Sequence, residues 1–227
     1  MILGSSSKKR VSNVSIRCPP DSPRPPSAMP SPRPRGWLPI SAEIEIARVD
    51  MLDWRGPLFC GMLQVWKGSL RSGESHLKRA LKLNGSSAEA LAFLGSAYSL
   101  MGKHAIAEEF LRQAIYITPL DPLRFYYLTE FAKLQWLTSN FEEAFQLSRE
   151  ALTLYSGYDV ATSIMISAAM TINRQADVEH LVVSKTSAEV DTLVTRLSRL
   201  PGWNNGAFSP VIGDVVSLAE KGTSSRL

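Results

Sequence analysis

Two pairs of adjacent acids, Glu108-Glu109 and Glu142-Glu143, are the residues whose type and spacing most invite a chemical reading. Paired carboxylates can divide general-acid and general-base roles between them. Adjacent positions on a helix do not face each other, however. Both pairs fall at the polar start of an amphipathic stretch, where acids meet the positive end of the helix dipole. That placement accounts for them without catalysis. The histidines His76, His104 and His180 are far apart at polar positions, and no Cys/His/carboxylate spacing suits a metal. There is no Gly-rich phosphate loop, nucleophile elbow or HExxH pattern. The expectation is a chain that is not an enzyme and needs no cofactor and no metal.

Composition narrows the remaining classes. Cys18 and Cys60 show no disulfide framework, which fits a reducing compartment. No apolar run reaches the roughly 18 residues of a membrane span. Lys8-Lys9-Arg10 is not followed by the apolar segment of a secretory signal. A cytoplasmic location is therefore expected, and the sequons at Asn13 and Asn84 carry no weight. The net charge of +4 is unevenly placed: residues 1–36 carry +6 and the remainder −2. A basic nucleic-acid face on the folded part is not expected, and the leader lacks the interleaved aromatics of a single-strand binder. Residues 1–36 are rich in Ser, Pro and Arg and cannot offset chain entropy with a packed core. They read as a disordered leader with local polyproline II, a solvated segment rather than a PxxP ligand.

The elements that would position functional groups come from one thirty-four-residue window, 88–121. Leu91, Leu94, Tyr98 and Met101 recur at three and four, as do Ala107, Phe110, Leu111 and Ala114, giving two one-faced helices. Gly102-Lys103 makes the turn between them, and Pro119 ends the second. Gly95 is small where the helices approach and costs about 1 kcal/mol of helix propensity against Ala, which calls for a packing reason. One such hairpin cannot bury both faces, so neighbours are required.

Leu91, Leu94, Gly95 and Tyr98 give L-x2-L-G-x2-Y, followed in register by Ala107, Leu111, Ala114 and Pro119. The window resembles the tetratricopeptide repeat, with Leu91 where Trp is usual and Leu111 where Phe is usual. The resemblance implies an all-α fold of tandem helix-turn-helix repeats, stacked as a short right-handed superhelix. Leu77, Ala80 and Leu83 lie thirty-four residues before Leu111, Ala114 and Ile117, so 70–84 reads as the second helix of a preceding repeat, with Gly85-Ser86-Ser87 as exit and cap. Ala144 and Ala151 follow Ala107 and Ala114 at thirty-seven. The three added residues are placed before Asn140 as one more helical turn. Asp121-Pro122 should open the helix before them, with Phe125, Leu128, Ala132 and Trp136 inside. A further unit spans 158–185, a helix follows at 187–199, and Ser209-Pro210 opens a last one ending before Gly222. The expected organisation is a 1–36 leader, a 37–68 lead-in broken at Gly56-Pro57, repeats over 69–185, and helices over 186–227 that seal the end of the stack.

The run from Leu111 to Leu154 is also similar to the repeat tail of bacterial adenylate/guanylate cyclases and of related winged-helix regulators. That resemblance implies a regulatory, partner-binding module. The alternative it carries is the C-terminal part of a cyclase or transcriptional regulator whose catalytic or DNA-binding domain is missing from this chain. Some eighty residues precede the repeats, with no paired metal-binding aspartates, so no catalytic residue is carried over.

The resemblance further implies a protein or peptide partner held in a concave groove. The second, fifth, ninth and twelfth positions of each first helix would line it. A uniform period gives Glu89, Ala92, Ser96 and Ser99, then Leu123, Tyr126, Glu130 and Lys133. Repeats that grip a C-terminal carboxylate carry Lys and Asn where Ala92 and Ser96 stand, so that partner class is not expected.

Overall fold

The computed structural model describes residues 53–183, 186–203 and 206–224. The leader and the helix expected from Ile44 to Leu52 lie outside them. The described residues belong to one compact unit. Among the described residues, regular structure is helical: α1 Arg55–Trp66, α2 Leu70–Leu83, α3 Ala88–Leu100, α4 His104–Ile117, α5 Arg124–Leu137, α6 Phe141–Leu154, α7 Asp159–Thr171, the short α8 His180–Val183, α9 Ser187–Leu197 and α10 Ser209–Ser224. Consecutive helices pack as hairpins, α1 on α2, α3 on α4, α5 on α6, and each hairpin packs on the next. No described helix is long and apolar enough to cross a membrane.

Each hairpin is closed by a residue in the left-handed region just after its first helix. These are Gly68, Gly102, Ser139 and Asn173, thirty-four, thirty-seven and thirty-four residues apart. Only Gly adopts this conformation without steric cost, and a short polar side chain tolerates it better than a branched one. The four positions mark the repeat phase more sharply than any hydrophobic stripe, and they extend the repeat to both sides of 88–121.

The long repeat gains its three residues in two places. The segment between α4 and α5, residues 118–123, is two residues longer than 84–87, and α5 is one residue longer than α3. This corrects the sequence placement of a whole added turn before Asn140. Asp121 does not begin the helix with Pro122. Its Oδ1 accepts the Leu123 N–H at 2.7 Å, holding a turn that leads into α5 at Arg124. Ser87 caps α3 as expected, its Oγ accepting the Ala90 N–H at 3.3 Å. Gly56-Pro57 opens α1 instead of breaking a helix, since Pro is tolerated in a first turn where backbone donors have no partner. The last helix runs through Gly222 to Ser224. Cys60 is buried on α1.

Close approach inside the hairpins rests on matched volumes. A Cβ on Gly95 would come within 2.5 Å of Leu111 Cγ and 3.2 Å of the Ala107 carbonyl oxygen. One repeat earlier, a Cβ on Gly61 would come within 2.6 Å of Leu77 Cγ. Gly61 and Leu77 thus repeat Gly95 and Leu111 at thirty-four, so the repeat that ends with α2 starts at α1. In the third hairpin the equivalent positions, thirty-seven residues on, hold Ala132 and Ser148, both buried: a larger residue on the first helix and a smaller one on the second. Leu91, Leu94, Gly95, Tyr98, Ala107, Leu111, Ala114, Ala144 and Ala151 are all buried, while Pro119 is exposed in the linking segment.

Candidate partner-binding groove

The first helices α1, α3, α5 and α7 contact one another from hairpin to hairpin, which makes them the candidates for an inner face. Aligning them through the left-handed residues places Glu89, Ala92, Ser96 and Ser99 of α3 level with Tyr126, Thr129, Lys133 and Trp136 of α5, and with Val160, Ser163, Ser167 and Met170 of α7. The uniform period had aligned Leu123, Tyr126, Glu130 and Lys133 instead. Tyr126 and Lys133 remain on inner positions. Glu130 lies one residue beyond Thr129, and Leu123 precedes α5. Trp136 was legible as a stripe residue but not as an inner-face one, because the added residues move the phase.

The surroundings of these residues are more closed than an empty groove. Ala92, Ser96, Ser99, Glu130 and Lys133 are each less than a tenth exposed, and Tyr126 is half-buried. Lys133 Nζ pairs with Glu130 Oε2 at 2.7 Å. The same Lys133 ammonium sits 5.6 Å from the centre of the Phe208 ring, a cation–π contact. Burial, then the nearby Glu130 charge, pushes the Tyr126 and Tyr158 hydroxyls above their ordinary value, so both remain donors. An aromatic row crosses the first three hairpins: Trp66 meets Phe93 edge-on at 5.4 Å, and Phe93 stacks on Tyr126 at 5.1 Å.

Toward the C-terminal side the inner face is filled by the chain itself. Trp136 Nε1 donates to Ser167 Oγ at 3.0 Å, and Ser167 Oγ donates to Asp214 Oδ2. Phe208 lies 5.8 Å from the Trp136 ring. Neither Phe208 nor Asp214 carried a sequence signal for this role, because contacts across more than forty residues leave no periodic trace. The C-terminal helices were expected to seal the end of the stack. The last helix, α10, packs on α7, α8 and α9 at that end, while Gly202 and Phe208 reach further, to Leu100 of α3 and to Lys133 and Trp136 of α5.

Of the two acid pairs, Glu108, Glu142 and Glu143 form ion pairs, the first within α4 and the other two between elements. Glu108 pairs with Arg112 at 2.7 Å, Glu143 reaches the same guanidinium at 3.6 Å, and Glu142 pairs with Arg174 at 3.2 Å. Neither pair brings two carboxylates together on one proton. His76 is half-buried, and burial followed by the Arg79 charge lowers its pKa. Among the described residues no group of three or more His, Cys, Asp or Glu could hold a metal. A cavity of about 550 Å³ opens between α6, α7 and α8, with Phe145 and Met165 on its apolar side and Arg149, Arg174 and His180 at its rim. On the outer side, Leu83, Ile117 and Leu154 are equivalent residues at the ends of second helices, and all three are exposed.

The tetratricopeptide-repeat family profile matches residues 88–119. No curated protein matches the chain. Among solved structures, PilF of Pseudomonas aeruginosa superposes over 74% of this chain and 76% of its own, at 17% identity and a TM-score of 0.54. MamA (AMB-1) superposes over 60% of this chain and 77% of its own, at 18% identity and a TM-score of 0.45. A repeat match confined to one hairpin, together with a fold shared over three quarters of the chain, gives an all-α solenoid of tetratricopeptide-like hairpins.

Proposed function

We propose that the chain is a non-catalytic protein-interaction scaffold whose partner is a protein or peptide bound on the inner face of the first helices. The observation that carries this is the phase of the left-handed turns, which aligns equivalent inner positions along α1, α3, α5 and α7. Repeated hairpins of this kind offer extended concave surfaces suited to a chain segment. Groove candidates are Ala92, Ser96, Ser99, Tyr126, Glu130 and Lys133, to which the corrected phase adds Thr129 and Trp136. Tyr126, half-buried and ending the Trp66–Phe93–Tyr126 row, is the residue best placed to meet a ligand. Nucleic acid is not proposed as a partner, given the slightly acidic balance of residues 37–227.

A photocrosslinking amino acid at Tyr126, introduced into the full chain in its own cells, tests this reading. Discrete protein adducts are expected from Tyr126 and not from exposed Gln113 on the outer helix α4. Equal adducts from both, or none from Tyr126, would overturn it. The narrower reading, a regulatory tail of a cyclase or transcriptional regulator, is supported by the sequence likeness over 111–154. It calls for a cyclase or winged-helix segment encoded next to this chain. The chain itself is expected to form no cyclic nucleotide from ATP or GTP with Mg²⁺ or Mn²⁺; product above a mock preparation would refute that.

A further inference from the structure

Phe208, just before the last helix, and Val211, Val215 and Leu218 on it are all buried, at the three-and-four spacing of a helix laid into a groove. Asp214 stands beside that stripe. Three hairpins receive the segment. Gly202, with φ +81°, turns so close to α3 that a Cβ on it would come within 2.8 Å of Leu100 Cδ2. Phe208 then lies against Lys133 and Trp136 of α5. Asp214 accepts the hydrogen bond of Ser167 on α7. Trp203 stacks on Phe208 at 5.1 Å, and its buried Nε1 meets no hydrogen-bonding group among the described residues. An N–H buried in this way raises the energy of the docked state.

We propose that the segment 206–218 is a ligand bound in cis, and that it displays the recognition code of the partner. Given the scaffold reading on which this rests, the partner presents an amphipathic helix with an aromatic residue, aliphatic residues three and seven positions later, and a carboxylate six positions later. The aromatic enters between Lys133 and Trp136, and the carboxylate takes the Ser167 hydroxyl. Partner binding and docking of the chain's own end are mutually exclusive, so the cis segment sets a threshold that a foreign helix must exceed. The apparent affinity is reduced by the fraction of molecules whose groove is occupied.

The probe is a fluorescent synthetic peptide of residues 200–221, titrated into the full chain as wild type, Asp214→Asn and Phe208→Ala. Each substitution weakens the cis segment and leaves the receiving side chains intact. Binding at least tenfold tighter to the variants than to wild type is expected. Hydrogen exchange on the same proteins should show α10 amides exchanging at least tenfold faster, with α3–α6 unchanged. Equal binding to all three proteins would overturn the proposal. So would absence of binding to a variant whose α3–α6 protection is intact, or loss of that protection in the mild Asp214→Asn variant, which would make the segment an integral part of the core. A variant that becomes a dimer with its groove closed to the peptide would assign the site to a second copy of this chain, and would also overturn it. Failure here alongside specific crosslinks at Tyr126 would leave the scaffold reading standing with a different recognition code.

Discussion

A methyl group at position 95 would have to displace Leu111, a fully buried side chain, and crowd the Ala107 carbonyl oxygen. The sequence left the sign of Gly95→Ala open, because about 1 kcal/mol of helix propensity favours Ala. The geometry decides it. Overpacking in a closed contact costs about 1–3 kcal/mol, so Gly95→Ala should be destabilised, and Gly95→Leu more strongly. Urea midpoints at equal slope measure both; a Leu variant as stable as wild type would place Gly95 outside the helix contact. At the turn positions the sign depends on the direction of the exchange. Ser139 holds φ 64°, a conformation that costs a non-Gly residue about 1–2 kcal/mol. Ser139→Gly relieves that strain at the cost of a more flexible unfolded chain, for a net gain of about 0.5 kcal/mol. Gly102→Ala should lose about 1–2 kcal/mol at φ 74°. The same urea series reads both, and equal signs would contradict the assignment of these turns as equivalent.

At the scale of elements, Tyr98 joins α3 to α2 through Glu74, its hydroxyl donating to Oε1 at 2.8 Å. The Lys78 hydrogen bond, and after it that of Tyr98, hold the Glu74 carboxyl below its usual 4.5. The native state then binds the proton less readily than the unfolded chain does. The associated stability is fully present above the usual value and is lost as pH falls through the lower folded one. Wild type should therefore exceed Glu74→Gln at pH 7, and the gap should close on acidification; a gap that is constant with pH would exclude the linkage. The strong repeat was legible because its helices keep a one-faced stripe, a glycine contact and a cap within one window. The phase of α5 was less so. Two of its added residues lie in the linking segment, where no periodicity records them. The left-handed turn was legible as Gly at 68 and 102 but hidden as Ser139 and Asn173, whose types do not force that conformation. The inner-face contacts of Phe208 and Asp214 depend on tertiary return of the chain, which local patterning does not encode.

Among the described residues the two larger buried clusters lie one over α1–α5 and one over α5–α10, and α5 contributes to both. Hairpins that touch mainly their neighbours gain stability locally, so opening of one end need not open the other. Leu77→Ala removes a fully buried side chain from the first hairpin, and such a truncation costs about 2–5 kcal/mol. Hydrogen exchange should rise across α1 and α2 while α6, α7 and α10 keep their protection. Acceleration throughout would mean that the two clusters unfold as one.

The matched volumes within the hairpins also decide which segments can be exchanged. Leu111 faces Gly95, whereas the equivalent positions of the third hairpin hold Ser148 and Ala132, so the two helices of one hairpin are matched in volume and those of different hairpins are not. A chimera joined at the turns near Gly102 or Ser139 would set Leu111 against the methyl of Ala132, or leave Ser148 facing the void beside Gly95. One joined in the linking segments 84–87 or 118–123 keeps each pair together. The unit that can be recombined, duplicated or lost during descent is therefore the whole hairpin, with its natural seams between repeats and not within them.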